Sequence, residues 1–120
     1  MESNTEKIID LDYLSALAKG NKAFIKEMIS IFLSDNPREL TAIETAISTK
    51  NFEEIKQTAH KLKSTLPVIG LDRLIGKEIL EIESLALQKT DLQGIETRFK
   101  KVKDTCEKAY PELKEAETNI

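Results

Sequence analysis

Between residues 21 and 49, apolar side chains recur in steps of three and four. Phe24, Ile25, Met28, Ile29, Phe32 and Leu33 come first, and Leu40, Ile43 and Ile47 continue in the same phase. At this period they form one stripe along one side of a long helix. A helix with such a stripe cannot hide it alone, so the rest of the chain must supply the cover. Pro37 interrupts the run and removes one backbone donor. Because the phase survives it, a single kinked helix from Asn21 to Thr49 is favoured over two helices broken near Asp35-Asn36.

The rest of the chain supplies matching stripes. Asp12 is placed to cap a short helix, Tyr13 to Lys19, that stops at Gly20-Asn21, and Asn21 to cap the long one. Asn51 or a neighbour opens a third helix with Phe52, Ile55, Ala59, Leu62, Leu66 and Ile69 on one face and Gly70 as its stop. A fourth, Asp72 to about Leu87, offers Leu74, Ile75, Ile79, Leu80, Ile82, Leu85 and Ala86 inward. The last starts at Asp91 and uses Leu92, Ile95, Phe99, Val102, Cys106 and Tyr110, with Pro111 expected to end or bend it. Four long amphipathic helices on short turns predict an all-α protein. The expected architecture is an antiparallel up-and-down four-helix bundle with a short additional N-terminal helix. One domain over residues 1–120 is expected, frayed at 1–10 and 112–120.

Composition narrows the function classes. The chain has 120 residues, 32% of them charged, and a net charge of −3, which argues against nucleic-acid binding because that needs a basic face. A single cysteine, Cys106, can neither pair within the chain nor build a zinc site, and no metal site is expected. Its expected place is a partly buried helix position. The N-terminus lacks a signal core, and no apolar run approaches the ~20 residues that span a bilayer. A cytoplasmic, soluble monomer without membrane attachment is expected. The starting Met and polar tail lean toward a free-standing protein.

The chemistry concentrates on the one histidine. Two steps of helix turn His60 about 160° from the inward Leu62, toward solvent. Lys56, Lys63, Ser64 and Pro67 lie three, four or seven positions away on the same surface. An exposed imidazole, with an ordinary pKa near ~6.5, offers a free nucleophilic nitrogen at neutral pH. A phosphoryl group on that nitrogen would hold roughly two negative charges. Lys63 could approach them, at about 4 kcal/mol per pair for ~4 Å and an effective dielectric of 20. Ser64 is short enough to leave the approach clear. Taken alone, a lone exposed histidine among lysines is ordinarily just surface.

The segment as a whole says more. Ala59-His60-Lys61-Leu62-Lys63-Ser64, with Gly70 ten positions after the histidine, resembles the A-H-x-L-K-[G/S] pattern of histidine-containing phosphotransfer (HPt) domains of multistep phosphorelays. FIKEMISIFLSDNPRELTAIETAI, including Pro37, is similar to the family's preceding helix, and Leu71-Asp72-Arg73-Leu74 to the family's segment just past the glycine. The likeness runs from about Leu11 to Leu87.

The resemblance implies a phosphocarrier without ATP-dependent kinase activity. His60 would take a phosphoryl group from an aspartyl phosphate on a response-regulator receiver domain, such as that of a hybrid sensor kinase, and pass it to another. Lys63, and less directly Lys61, would steady the phosphoryl oxygens, and Ser64 and Gly70 would have steric and backbone roles. No cofactor is implied for this chain, since the receiver supplies magnesium and the acidic pocket.

Pro67 departs from that pattern, because it removes the bond to the Lys63 carbonyl and should bend or end the helix there. If the second helix folds back on the third through a turn near Lys50, Leu40 flanks His60 and Asn36-Pro37 flank Ser64. The receiver is then expected on Lys56, Gln57, Lys61, Ser64 and Pro67, rimmed by apolar residues of the first helix. Two other classes compete. The dimerisation segment of a sensor kinase would also present a helical histidine, but ordinarily with an acidic residue where Lys61 stands. A helical adaptor without phosphotransfer would be indifferent to His60.

Overall fold

A computed structural model describes residues 7–120. It contains helices α1 (Asp12–Ala18), α2 (Lys22–Ser48), α3 (Phe52–Thr65), α4 (Asp72–Leu87) and α5 (Leu92–Asn119), with a 3-10 turn, Leu66–Ile69, between α3 and α4. The long helices form the expected bundle. α2 and α4 each pack against both α3 and α5, while α1 lies on α2 and the 3-10 turn. The expectation of a frayed N-terminus falls partly on residues 1–6, which lie outside the described residues.

Three helices start on side-chain caps. Asn21 accepts from the Phe24 N–H at 3.1 Å, Asn51 from Glu54 at 3.1 Å, and Asp91 from Gly94 at 3.0 Å, each satisfying an amide that the helix leaves free. α1 differs from expectation. Leu11 occupies its cap position, and the Asp10 carboxylate, not Asp12, accepts the first amide, the Asp12 N–H, at 2.9 Å.

The three prolines behave differently. α2 passes Pro37 unbroken, because the positions around it, Phe32, Asn36 and Leu40, are all buried and continue one inward stripe. α5 likewise continues through Pro111 to Asn119, so the helix does not end at that proline. Buried Ala109 and Leu113 flank that proline, and Glu112 accepts amides from Ile8 at 2.9 Å and Ile9 at 3.2 Å. Those bonds, with Lys7 near Glu115 and Arg73 donating to the Ile8 carbonyl, hold residues 7–10 against the bundle. At Pro67, by contrast, α3 does stop, and the chain tightens into the 3-10 turn.

Gly70 ends that turn at φ +78°, a conformation in which a Cβ is strained. It is also overlain by the chain: the Asp10 N–H donates to the Ile69 carbonyl at 2.9 Å, and a Cβ on Gly70 would lie 2.6 Å from the Asp10 Cβ. Glycine is required here on both grounds.

The core holds one stripe from each helix, and Cys106 is fully rather than partly buried. α4 buries Ile75, Ile79, Ile82 and Ala86. Leu74 and Leu80, expected inward, are 38% and 54% exposed, because they lie off that stripe.

Candidate functional site

The burial of Ile55, Ala59 and Leu62 fixes the rotation of α3 and turns His60 outward, leaving its side chain 64% exposed. The next helix in the ring then matters most. α4 runs alongside α3 and brings Glu83 to the imidazole, its Oε2 2.8 Å from His60 Nδ1. The other oxygen, Oε1, accepts from Lys63 Nζ at 3.0 Å. One carboxylate therefore joins the histidine to the lysine one turn further on. Partial burial pushes the Glu83 carboxyl up, but hydrogen bonds from His60 and Lys63, with the lysine's charge, outweigh it and hold Glu83 below the ordinary carboxylate range.

Donor and acceptor bookkeeping sets the chemical consequence. An ionised carboxylate can only accept, so Nδ1 must carry the proton in this bond. The neutral ring then keeps its lone pair on Nε2, the nitrogen that points away from Glu83. The arrangement presents an oriented nucleophile with a cation beside it.

The other predicted positions divide over two sides of α3. Lys63 stands at the histidine as expected. Lys61 is exposed on the α2 side, where its charge acts on Glu39; burial, and then the charge of Asp35, raise that carboxyl, and Lys61 partly offsets them. Lys56 sits 3.3 Å from Glu53, which also accepts from Gln57 Nε2 at 3.0 Å. Ser64 is exposed. Pro67 turns toward α4, where it lines an apolar groove of about 690 Å³ with Lys63, Leu66, Gly76, Leu80 and Ser84. Gly70 is buried beyond the turn, in contact with Asp10.

The expected flanking of Ser64 holds for Asn36, which lines a cleft with Thr65 and Val68 just past Ser64, and is corrected for Pro37. Pro37 lines a cleft with Lys103 and Tyr110 of α5, and the buried Asn36 binds Tyr110.

Glu83 is the residue that the sequence does not single out. It is one of many acidic residues, and no helical spacing links it to His60. The one available signal is the turn: folding α4 back about Gly70-Leu71, as α2 folds about Lys50, sets the segment around Ile82 beside His60.

Among the described residues, no group of three or more His, Cys, Asp or Glu side chains could hold a metal ion. No described helix is long and apolar enough to cross a membrane. The family model of the Hpt domain matches residues 27–115, which takes in most of α2, all of α3 and α4 and most of α5.

The chain belongs to the Hpt domain family. Comparisons with curated proteins and with solved structures find no match. Hpt domains are phosphocarriers of phosphorelays rather than kinases, and they interact with receiver domains. In this Hpt domain the matched residues contain His60, Lys63 and Glu83 together.

Proposed function

We propose that this Hpt domain accepts a phosphoryl group on His60 Nε2 from a receiver aspartyl phosphate and delivers it to the aspartate of another receiver. The observation that carries this reading is the bond from Nδ1 to Glu83, which leaves Nε2 as the exposed lone pair. Lys63 turns from Glu83 to the phosphoryl oxygens once they arrive, because a dianion outcompetes a monoanion for the same ammonium group. Ser64 keeps the approach open, and Gly70 holds the backbone beneath it. Lys61 contributes to the general positive field rather than to a direct contact.

The receiver docks over the outer face of α3, against Lys56, Gln57, Lys61, Ser64 and Pro67. Exposed Tyr13 and Leu17 of α1 and Ile31 of α2 supply apolar contact at the rim. The lysines complement the acidic phosphorylation pocket of a receiver and speed encounter. Magnesium belongs to the receiver, and this chain acts as a cytoplasmic monomer without cofactor or kinase activity of its own.

The test is to mix the protein with a labelled, phosphorylated receiver. Acid-labile, base-stable label should appear on the wild type and be absent from His60→Gln, whose exposed position leaves folding within about 0.5 kcal/mol. Incubation with labelled ATP alone should give no incorporation. No transfer from a panel of receivers would reject the assignment.

A further inference from the structure

Glu83 does more than orient a ring that is waiting for phosphate. In the transfer step, the Nε2 lone pair attacks phosphorus, the bond from phosphorus to the aspartyl oxygen breaks, and its electron pair leaves with the carboxylate. No proton needs to move. The product ring has phosphorus on Nε2 and a proton on Nδ1, so it carries a positive charge. Delivery reverses this: an acceptor carboxylate oxygen attacks phosphorus, the N–P bond breaks, and its pair returns to Nε2 as neutral imidazole. If the product ring first loses its Nδ1 proton, the group expelled is imidazolate, a far stronger base and a far poorer leaving group.

The geometry meets that need. Glu83 Oε2 sits 2.8 Å from the atom that carries the proton, and its side chain is only 21% exposed. Among the described residues it is the one carboxylate hydrogen bonded to the imidazole. On its own helix the nearest charges in sequence are cations: Lys56, already paired with Glu53, Lys61, which acts on Glu39 of α2, and Lys63. All three oppose a positive ring, and Glu83 opposes the loss of one.

We propose that Glu83 holds the Nδ1 proton on His60 while the phosphoryl group is attached, keeping the phosphohistidine in its transfer-competent imidazolium form. This rests on His60 being the phosphorylated residue, and it makes Glu83 a positioning and charge-balancing residue rather than a catalytic one. Glu83→Gln is the discriminating change. The amide retains an oxygen that can accept from Nδ1 and removes only the charge.

The experiment uses phosphoramidate to phosphorylate the full chain chemically, without a receiver. Phosphorus and ¹⁵N-imidazole NMR then track the phosphorylated ring through a pH titration. Removing an opposite charge at hydrogen-bond distance should lower the ring's deprotonation midpoint in Glu83→Gln by at least about one pH unit. Lys63→Gln should move it the other way, by less. Coincident midpoints for wild type and Glu83→Gln would overturn the proposal, as would a downward shift in Lys63→Gln. Absence of any wild-type phosphohistidine signal would also overturn it, because a free Nε2 is its premise. Failure of transfer from receivers is a separate result that bears on the carrier role and leaves this titration readable.

Discussion

Two of the polar clusters that join neighbouring helices sit in opposite environments. On one side, Glu83 of α4 binds His60 and Lys63 of α3 where water reaches all three. On the other, Asn36 of α2, fully buried beside Pro37, accepts from the Tyr110 hydroxyl of α5 at 2.6 Å. Asn36 Nδ2 makes no full hydrogen bond, and its weak interaction is with the buried Cys106 thiol. The open cluster can exchange partners at little cost, since water takes the place of any that leaves. The closed cluster cannot, because a buried group that loses its partner keeps the whole desolvation penalty. Exchange of partners is what a phosphoryl carrier needs at its histidine, and fixed partners are what a buried polar group needs in the core.

Exchanging one member in each cluster tests that contrast. Asn36→Ala leaves the Tyr110 hydroxyl without its acceptor and opens a small void between α2 and α5. The expected loss is about 2–3 kcal/mol, read from the urea midpoint. Glu83→Gln should cost less than about 1 kcal/mol in the same measurement, because exposed ion pairs contribute little. Phosphorylation of His60 by phosphoramidate should reach the same stoichiometry in Asn36→Ala as in wild type wherever the variant is folded. Equal stability losses in the two variants would erase the distinction between the clusters.

Reactivity gives a second measure. Burial raises the Cys106 thiol to about 12, with the Asn36 amide pulling weakly the other way. At pH 8 only on the order of one thiol in ten thousand is then the reactive thiolate, and that one is sealed in the core. Labelling by a disulfide reagent should proceed at least a hundredfold more slowly in native protein than in urea, and Asn36→Ala should narrow the gap. Rapid labelling of the native protein would show that the α2–α5 side opens as readily as the site at His60.

The two clusters are not equally legible in the sequence. Helical phase gives the boundaries of α2 within a residue and places His60 outward, because both depend only on local period. The continuity of α2 through Pro37 is readable for the same reason. Asn36 falls beside the end of α3 as the fold-back places it, but phase cannot show that its hydrogen-bond partner stands on α5. Glu83 and Tyr110 escape as partners because each contact joins residues far apart in the chain, 23 positions for one and 74 for the other. Gly70 reads as a helix stop, but the close passage of Asp10 over it exists only in the folded chain. Local rules find the nucleophile, and packing between helices supplies the group that orients it.

The smallest effect expected is also the one whose sign is most specific. Glu83 is held below the ordinary carboxylate range, whereas burial and Asp35 hold Glu39 above it. As pH falls, the unfolded chain protonates at Glu83 before the folded chain does, so the stability this group adds is present above the unfolded value and lost through its own lower one. At Glu39 the folded chain takes up the proton first. Its charge disfavours folding at neutral pH, and acid relieves that penalty. Glu39→Gln should therefore raise stability slightly at pH 7, by about a few tenths of a kcal/mol, and the gain should vanish by about pH 4. Glu83→Gln should instead lower stability at pH 7 and converge on wild type in acid. Urea midpoints of the three proteins between pH 7 and pH 3 would show the two variants approaching wild type from opposite sides. Approach from the same side would mean that Glu83 is not the partnered carboxylate of the pair, and the oriented Nε2 would lose its support.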